Sequence, residues 1–161
     1  MKIKIAAPVA VLFLFLSGCA SGGAGTSGSS HFARGLGVAT AADLNEHGNR
    51  FMALHSFELE RDEGPPSIVM ESRWRERNLF PDERLLGIEV AEIRATIRAR
   101  PRSGTSGMGE VYSVDLIVEQ RVRVPGESEW NTEISTAQAE ELATTMAEDL
   151  RRNLNVGVRR F

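Results

Sequence analysis

The apolar positions of this chain change period several times, and each change marks an element. Across residues 41–54, Leu44, His47, Phe51 and Leu54 recur at i, i+3, i+7 and i+10, the spacing of one helical face. Thr40 or Asp43 supplies a cap. Gly48 weakens this helix by about 1 kcal/mol relative to Ala. Residues 55–61 switch to alternation, with Phe57 and Leu59 inward and Glu58 and Glu60 outward. Asp62-Glu63-Gly64-Pro65-Pro66 reads as a turn. Residues 67–77 alternate again. Ile68, Met70, Ser72 and Trp74 take one face, and Val69, Glu71, Arg73, Arg75 and Arg77 the other. The two alternating segments predict an antiparallel hairpin.

Phe80-Pro81-Asp82-Glu83 interrupts the alternation and suggests a short helical turn, with Pro at its first position and acids at its positive end. Gly87 closes it. The firmest strand pattern follows: Glu89, Ala91, Ile93, Ala95, Ile97 and Ala99 on one face, Glu92, Arg94, Thr96, Arg98 and Arg100 on the other. Residues 101–109 read as a Gly/Ser-rich hairpin loop. Residues 110–124 form a long strand, with Tyr112, Val114, Leu116, Val118, Val122 and Val124 inward and Ser113, Asp115, Glu119, Arg121 and Arg123 outward. A short strand is expected at residues 130–134. Residues 136–154 predict a closing helix, buried along Ala139, Leu142, Ala143, Met146, Leu150 and Leu154, and ended by Gly157. Helix, four strands, helix is an α+β pattern. One sheet face is apolar and the other wet. The expected fold is a two-layer sandwich, a four-stranded, mainly antiparallel sheet with both helices on one face.

Composition adds an address. Lys2 and Lys4 precede an apolar run over residues 5–16 broken only by Pro8. The run is too short for a bilayer core, which needs about 20 residues, and has the form of a secretory signal. Leu16-Ser17-Gly18-Cys19 follows and resembles the lipobox of bacterial lipoproteins. That resemblance implies cleavage before Cys19, acyl chains on its thiol and new amine, and an outer-membrane destination, since Ala20 stands where an Asp favours inner-membrane retention. The alternative is an ordinary secretory signal with a coincidental Cys. Residues 20–30, ASGGAGTSGSS, have the composition of a flexible tether, with a reach of about 20 Å. The expected organisation is a signal at 1–18, lipidated Cys19 and tether at 19–38, and one periplasm-facing domain at 39–161. Phe32 and Leu36 offer at most a short docking strand within the tether.

The whole chain has 161 residues and a formal charge of −3. Without the two lysines of the signal, 17 arginines stand against 22 acidic residues, a charge of −5. This argues against a nucleic-acid partner. A single cysteine excludes a disulfide scaffold. No GxSxG, HExxH, phosphate-cradling glycine loop or ligand-spaced Cys/His cluster is present, so the expectation is a non-catalytic domain with no metal and no cofactor. His47 and His55 lie eight apart and are read as structural rather than as a metal pair.

The outward sheet face carries the remaining candidate chemistry. Arg73, Arg75, Arg94, Arg98, Arg121 and Arg123 are the candidate partner-binding residues, because guanidinium forks fit carboxylates and phosphates bidentately. Glu58, Glu60, Glu71, Glu92, Asp115 and Glu119 lie among them, so a solvated face of cross-strand ion pairs is the plainer reading. Trp74 and Trp130 fall near strand ends, as core pins or as interface anchors.

The order of elements, with Phe57-Glu58-Leu59-Glu60-Arg61-Asp62-Glu63-Gly64 leading into residues 68–74, resembles the helix-grip domain of BamC-type lipoproteins. It is also similar to LptE-type lipopolysaccharide-assembly lipoproteins, in which a strand precedes the first helix and residues 31–38 would have to supply it. These resemblances imply a lipid-anchored accessory of envelope assembly or maintenance, working with an envelope protein complex. A lipid or small-molecule carrier, using a groove between helices and sheet, is the alternative.

Overall fold

The computed structural model describes residues 31–102 and 111–158. Its elements are β1 (His31–Thr40), α1 (Ala41–Leu54), β2 (Leu59–Glu63), β3 (Ile68–Ser72), β4 (Arg75–Arg77), α2 (Pro81–Leu85), β5 (Val90–Pro101), β6 (Val111–Arg123) and α3 (Ala137–Val158). The sheet runs β1-β6-β5-β3-β2, with β4 also paired to β5. Every pairing is antiparallel. The α+β class and the antiparallel sheet match the sequence reading. The strand number does not: six strands form rather than four.

One extra strand comes from residues assigned to the tether. β1 pairs with β6 from His31↔Glu119 to Thr40↔Val111, with a register shift between Gly35 and Gly37. Gly37 has φ +113°, which favours glycine. The shift turns Leu36 and Ala39 into the core beside Phe32. Two close glycines mask the alternation that would otherwise have announced this strand. Residues 130–134 form no strand; Asn131 makes a single bridge to Val122.

The other extra strand comes from a break in residues 67–77. β3 pairs with β5 as far as Glu71↔Thr96, whereas β4 resumes at Arg75↔Ile93. Ser72, Arg73 and Trp74 therefore face only Ala95 and Arg94, a one-residue bulge that exchanges the faces of everything after it. Ser72 pins the bulge: its hydroxyl accepts from Ala95 N at 3.1 Å and donates to Arg73 O at 3.0 Å.

Both long helices cover one sheet face. Leu44, Phe51 and Met52 of α1, and Ala143, Met146, Ala147, Leu150 and Leu154 of α3, pack on Ile93, Ala95, Ile97, Ala99, Tyr112, Val114, Leu116 and Val118. Thr40 caps α1, its hydroxyl accepting from Asp43 N at 3.2 Å. The buried face of α1 is Leu44, Gly48, Phe51 and Met52. Leu54, expected on it, is exposed. Gly48 lies under the Met70 side chain, whose thioether would have to shift to admit a Cβ there, at 2.6 Å from Sδ. α3 keeps its expected stripe but continues through Gly157. A second cluster, Ile88, Ala91 and Val122 with Leu79 and Ile134, closes the end of the sheet near α2.

Candidate functional site

The uncovered sheet face carries an arginine–tryptophan ladder. Arg94 of β5 and Arg121 of β6 point away from the helices, in register with Glu119 and Glu92. Arg94 binds Glu119 Oε2 through Nη2 at 2.7 Å and Glu71 Oε1 through Nη1 at 2.8 Å. Arg121 binds Glu92 Oε2 through Nε at 2.6 Å and Nη2 at 2.5 Å. The bulge brings Trp74 onto this face. Its ring lies 4.8 Å from the Arg94 guanidinium and 4.3 Å from that of Arg121. Trp130, held beside β6 by the Asn131 bridge, stacks on Arg121 at 4.4 Å and on Arg123 at 5.3 Å. Arg121 thus has two indole rings within 4.5 Å of its guanidinium, at 4.3 and 4.4 Å, and a carboxylate on its fork, contacts suited to a planar cation.

The six candidate arginines therefore divide. Arg94 and Arg121 belong to the ladder, each paired with glutamate. Arg123 lies over Trp130 and makes no ion pair with a carboxylate among the described residues. Arg98 is exposed and stands across from Asp115 in register without an ion pair to it. Arg73 is exposed at the bulge, where its N–H donates to Glu58 O at 2.8 Å. Arg75 corrects the expectation: it pairs with Ile93 on the helix-covered face, and its guanidinium lies 5.2 Å from the Phe57 ring. Cys19, the lipidation candidate, lies outside the described residues.

Arg77 changes face for the same reason and becomes part of the interior. It is clamped bidentately by Glu83 of α2 at 2.7 and 2.5 Å, and its Nη2 also donates to Gln120 Oε1 at 2.6 Å. Gln120 in turn donates to Ala139 O at 3.1 Å. Glu83 is 1% exposed and Arg77 9%. The Phe80 ring covers the guanidinium at 4.6 Å, while Arg77 Nε has no partner. Gln120 was the available signal for this site, a polar residue at an inward position of an otherwise apolar strand.

His55 caps the C-terminus of α1 between Phe51 and Phe57. Burial holds its pKa below the usual histidine value; Asp149 opposes that shift and Arg75 adds to it. Among the described residues, no group of three His, Cys, Asp or Glu side chains is placed to hold a metal ion. No described helix is long and apolar enough to cross a membrane. A cavity of about 160 Å³ lies at the corner of α1 and the β2–β3 turn, lined by Ala41, Asn45, Gly64, Pro65 and Met70 among others. Small-molecule pockets are typically about 300–1,000 Å³. Neither a protein-family model, a curated protein nor a solved structure matches the chain.

Proposed function

We propose that this chain is a lipid-anchored envelope protein whose domain is a non-catalytic interaction module, an accessory of outer-membrane assembly or maintenance. The observation that carries the reading is Leu16-Ser17-Gly18-Cys19, at the end of a short apolar run and ahead of an eleven-residue Gly/Ser tether. Acyl chains on one cysteine suffice to hold such a chain at a membrane, because a second chain converts marginal binding into stable anchoring. Strand β1 ahead of α1 is the element that the LptE-type resemblance implies, and it supports that version over the helix-grip one. The cavity beside α1, at about 160 Å³, is smaller than a typical small-molecule pocket, which favours an interaction module over a carrier.

Labelling with radioactive palmitate in the native host tests the anchor. The wild-type chain is expected to incorporate label and sediment with membranes, and Cys19→Ser to do neither. An unlabelled, membrane-free wild-type chain overturns the reading. A mild-detergent pull-down then tests the accessory role. Stoichiometric recovery of barrel-assembly or lipopolysaccharide-transport proteins, lost in Cys19→Ser, is the expected result. Recovery of the chain alone contradicts it.

A further inference from the structure

The two layers of this domain differ in charge. On the uncovered sheet face, Arg61, Arg94 and Arg121 bind four carboxylates, those of Glu63, Glu71, Glu92 and Glu119. The register leaves Arg98, Arg100 and Arg123 on the same face against Glu76 and Asp115, and none of these five makes an ion pair with a described residue. The bulge residues Arg73 and Glu60 add one charge of each sign. Over its paired strands the face is therefore neutral. The helix layer is not: α1 and α3 together carry six carboxylates and three arginines. Such a domain is a dipole across its layers, and a phosphate-bearing surface attracts its sheet side and repels its helix side.

The side chains and the chain path of the sheet side fit a lipid headgroup layer. Both tryptophans of the chain lie there, each half-buried. An indole favours the membrane interface, where its ring buries and its N–H stays wet. Arginine lays its stem along apolar surface while its guanidinium reaches phosphate. The tether arrives beside these groups. β1 is the edge strand, and its first residue, His31, is in register with Glu119, two positions from Arg121. Strands lie about 4.8 Å apart, so the ladder on β6 and β5 begins about 5–10 Å from the point where the tether leaves the sheet. The eleven residues 20–30 reach about 20 Å, so an anchor at Cys19 holds the ladder within reach of the bilayer.

We infer that the uncovered sheet face lies on the phospholipid bilayer that holds the anchor, with Trp74 and Trp130 at headgroup level and Arg98, Arg100 and Arg123 on lipid phosphates. The acidic helix layer then faces away from the membrane. The inference rests on the lipid-anchor reading above and adds the orientation of the anchored domain.

The test is tryptophan fluorescence of the full chain, purified from its host and reconstituted into vesicles of phosphatidylethanolamine and phosphatidylglycerol, with and without a headgroup-nitroxide lipid. The nitroxide should lower emission at least about twofold, as expected for indoles at headgroup level. Arg98→Glu with Arg100→Glu should abolish most of that quenching. Arg151→Glu with Arg152→Glu, the same charge change on the helix layer, should leave it in place. All four side chains are exposed, so both variants should melt within about 4 °C of the wild type. Quenching that both variants lose equally, or that neither loses, overturns the inference. So do tryptophans that aqueous iodide quenches and the nitroxide does not, which leave the face to a protein partner. Tryptophans shielded from both quenchers give the face to a second copy and overturn it too. The mass of the purified chain and its flotation with vesicles separate the two levels. An acylated, floating chain with unquenched tryptophans sinks the orientation alone. A chain without acyl groups that floats and is quenched sinks the anchor alone, and one that does not float sinks both.

Discussion

Arg77 and Arg94 lie on neighbouring strands, and both bind glutamate at hydrogen-bonding distance, but opposite faces of the sheet give the two pairs different work. Arg77 is enclosed with Glu83 and Gln120 beneath Phe80, where each partner compensates the burial of the other. Such a pair adds little net stability when both members are present, and removing one member leaves an uncompensated charge in the interior. Arg94 sits partly exposed on the uncovered face among Glu71, Glu119 and Trp74. Water remains available to each group there, so the pairings stabilise weakly and orient the side chains. One inserted residue ahead of β4 carries Arg77 to the covered face, whereas Arg94, on the unshifted β5, keeps the open one. The chemistry of a side chain is shared by both sites; what differs is the dielectric that the backbone register assigns to it.

That contrast predicts a ranked set of effects. Glu83→Ala should be the most damaging, costing about 3–5 kcal/mol through the stranded Arg77 charge, as measured by urea unfolding. Replacing both partners by apolar residues, Arg77→Met with Glu83→Leu, should recover most of that loss. On the open face, Arg121→Ala should cost about 1–2 kcal/mol, from two indole contacts and one partly exposed ion pair. Arg98→Ala, on the same face without such contacts, should change stability by less than about 0.5 kcal/mol. Equal losses from Arg98 and Arg121 would show that the ladder contributes nothing.

The smallest effect concerns Arg75, which the bulge places near His55. The folded pKa of His55 lies below its unfolded value, chiefly by burial. Below about pH 6.5 the unfolded chain therefore takes up a proton that the folded chain resists, and stability falls as pH drops from there through the folded value. Denaturation midpoints between pH 7 and 5 should show this decline, and His55→Gln should flatten it. Arg75→Gln should weaken it, because one of the influences holding the pKa down is then gone.

Most of the layer structure was legible in the sequence. β5 and β6 alternate over most of their length, so Ile93, Ile97, Leu116 and Val118 could be placed inward from spacing alone. Of the two caps the sequence offered for α1, Thr40 and Asp43, Thr40 forms it. The bulge was not legible. Bulges are often marked by Gly, and Ser72-Arg73-Trp74 contains none; an unbroken alternation put Trp74 inside and Arg75 and Arg77 outside, the reverse of what forms. The ladder was hidden for the same reason, since it needs Trp74 on the open face. Leu54 illustrates a different limit. Its spacing fitted a helical stripe, but the buried face of α1 is Leu44, Gly48, Phe51 and Met52 and leaves Leu54 exposed, and spacing carries no information about the partner surface.

The most direct measurement is a pair of double-mutant cycles, Arg77 with Glu83 and Arg94 with Glu119, by urea unfolding at low and high salt. A coupling of about 3 kcal/mol or more is expected for Arg77–Glu83, unchanged by salt, against less than about 1 kcal/mol for Arg94–Glu119, weakened by salt. Equal couplings with the same salt dependence would contradict the account, because the two arginines would then occupy the same kind of environment and the bulge would not have carried Arg77 into the interior.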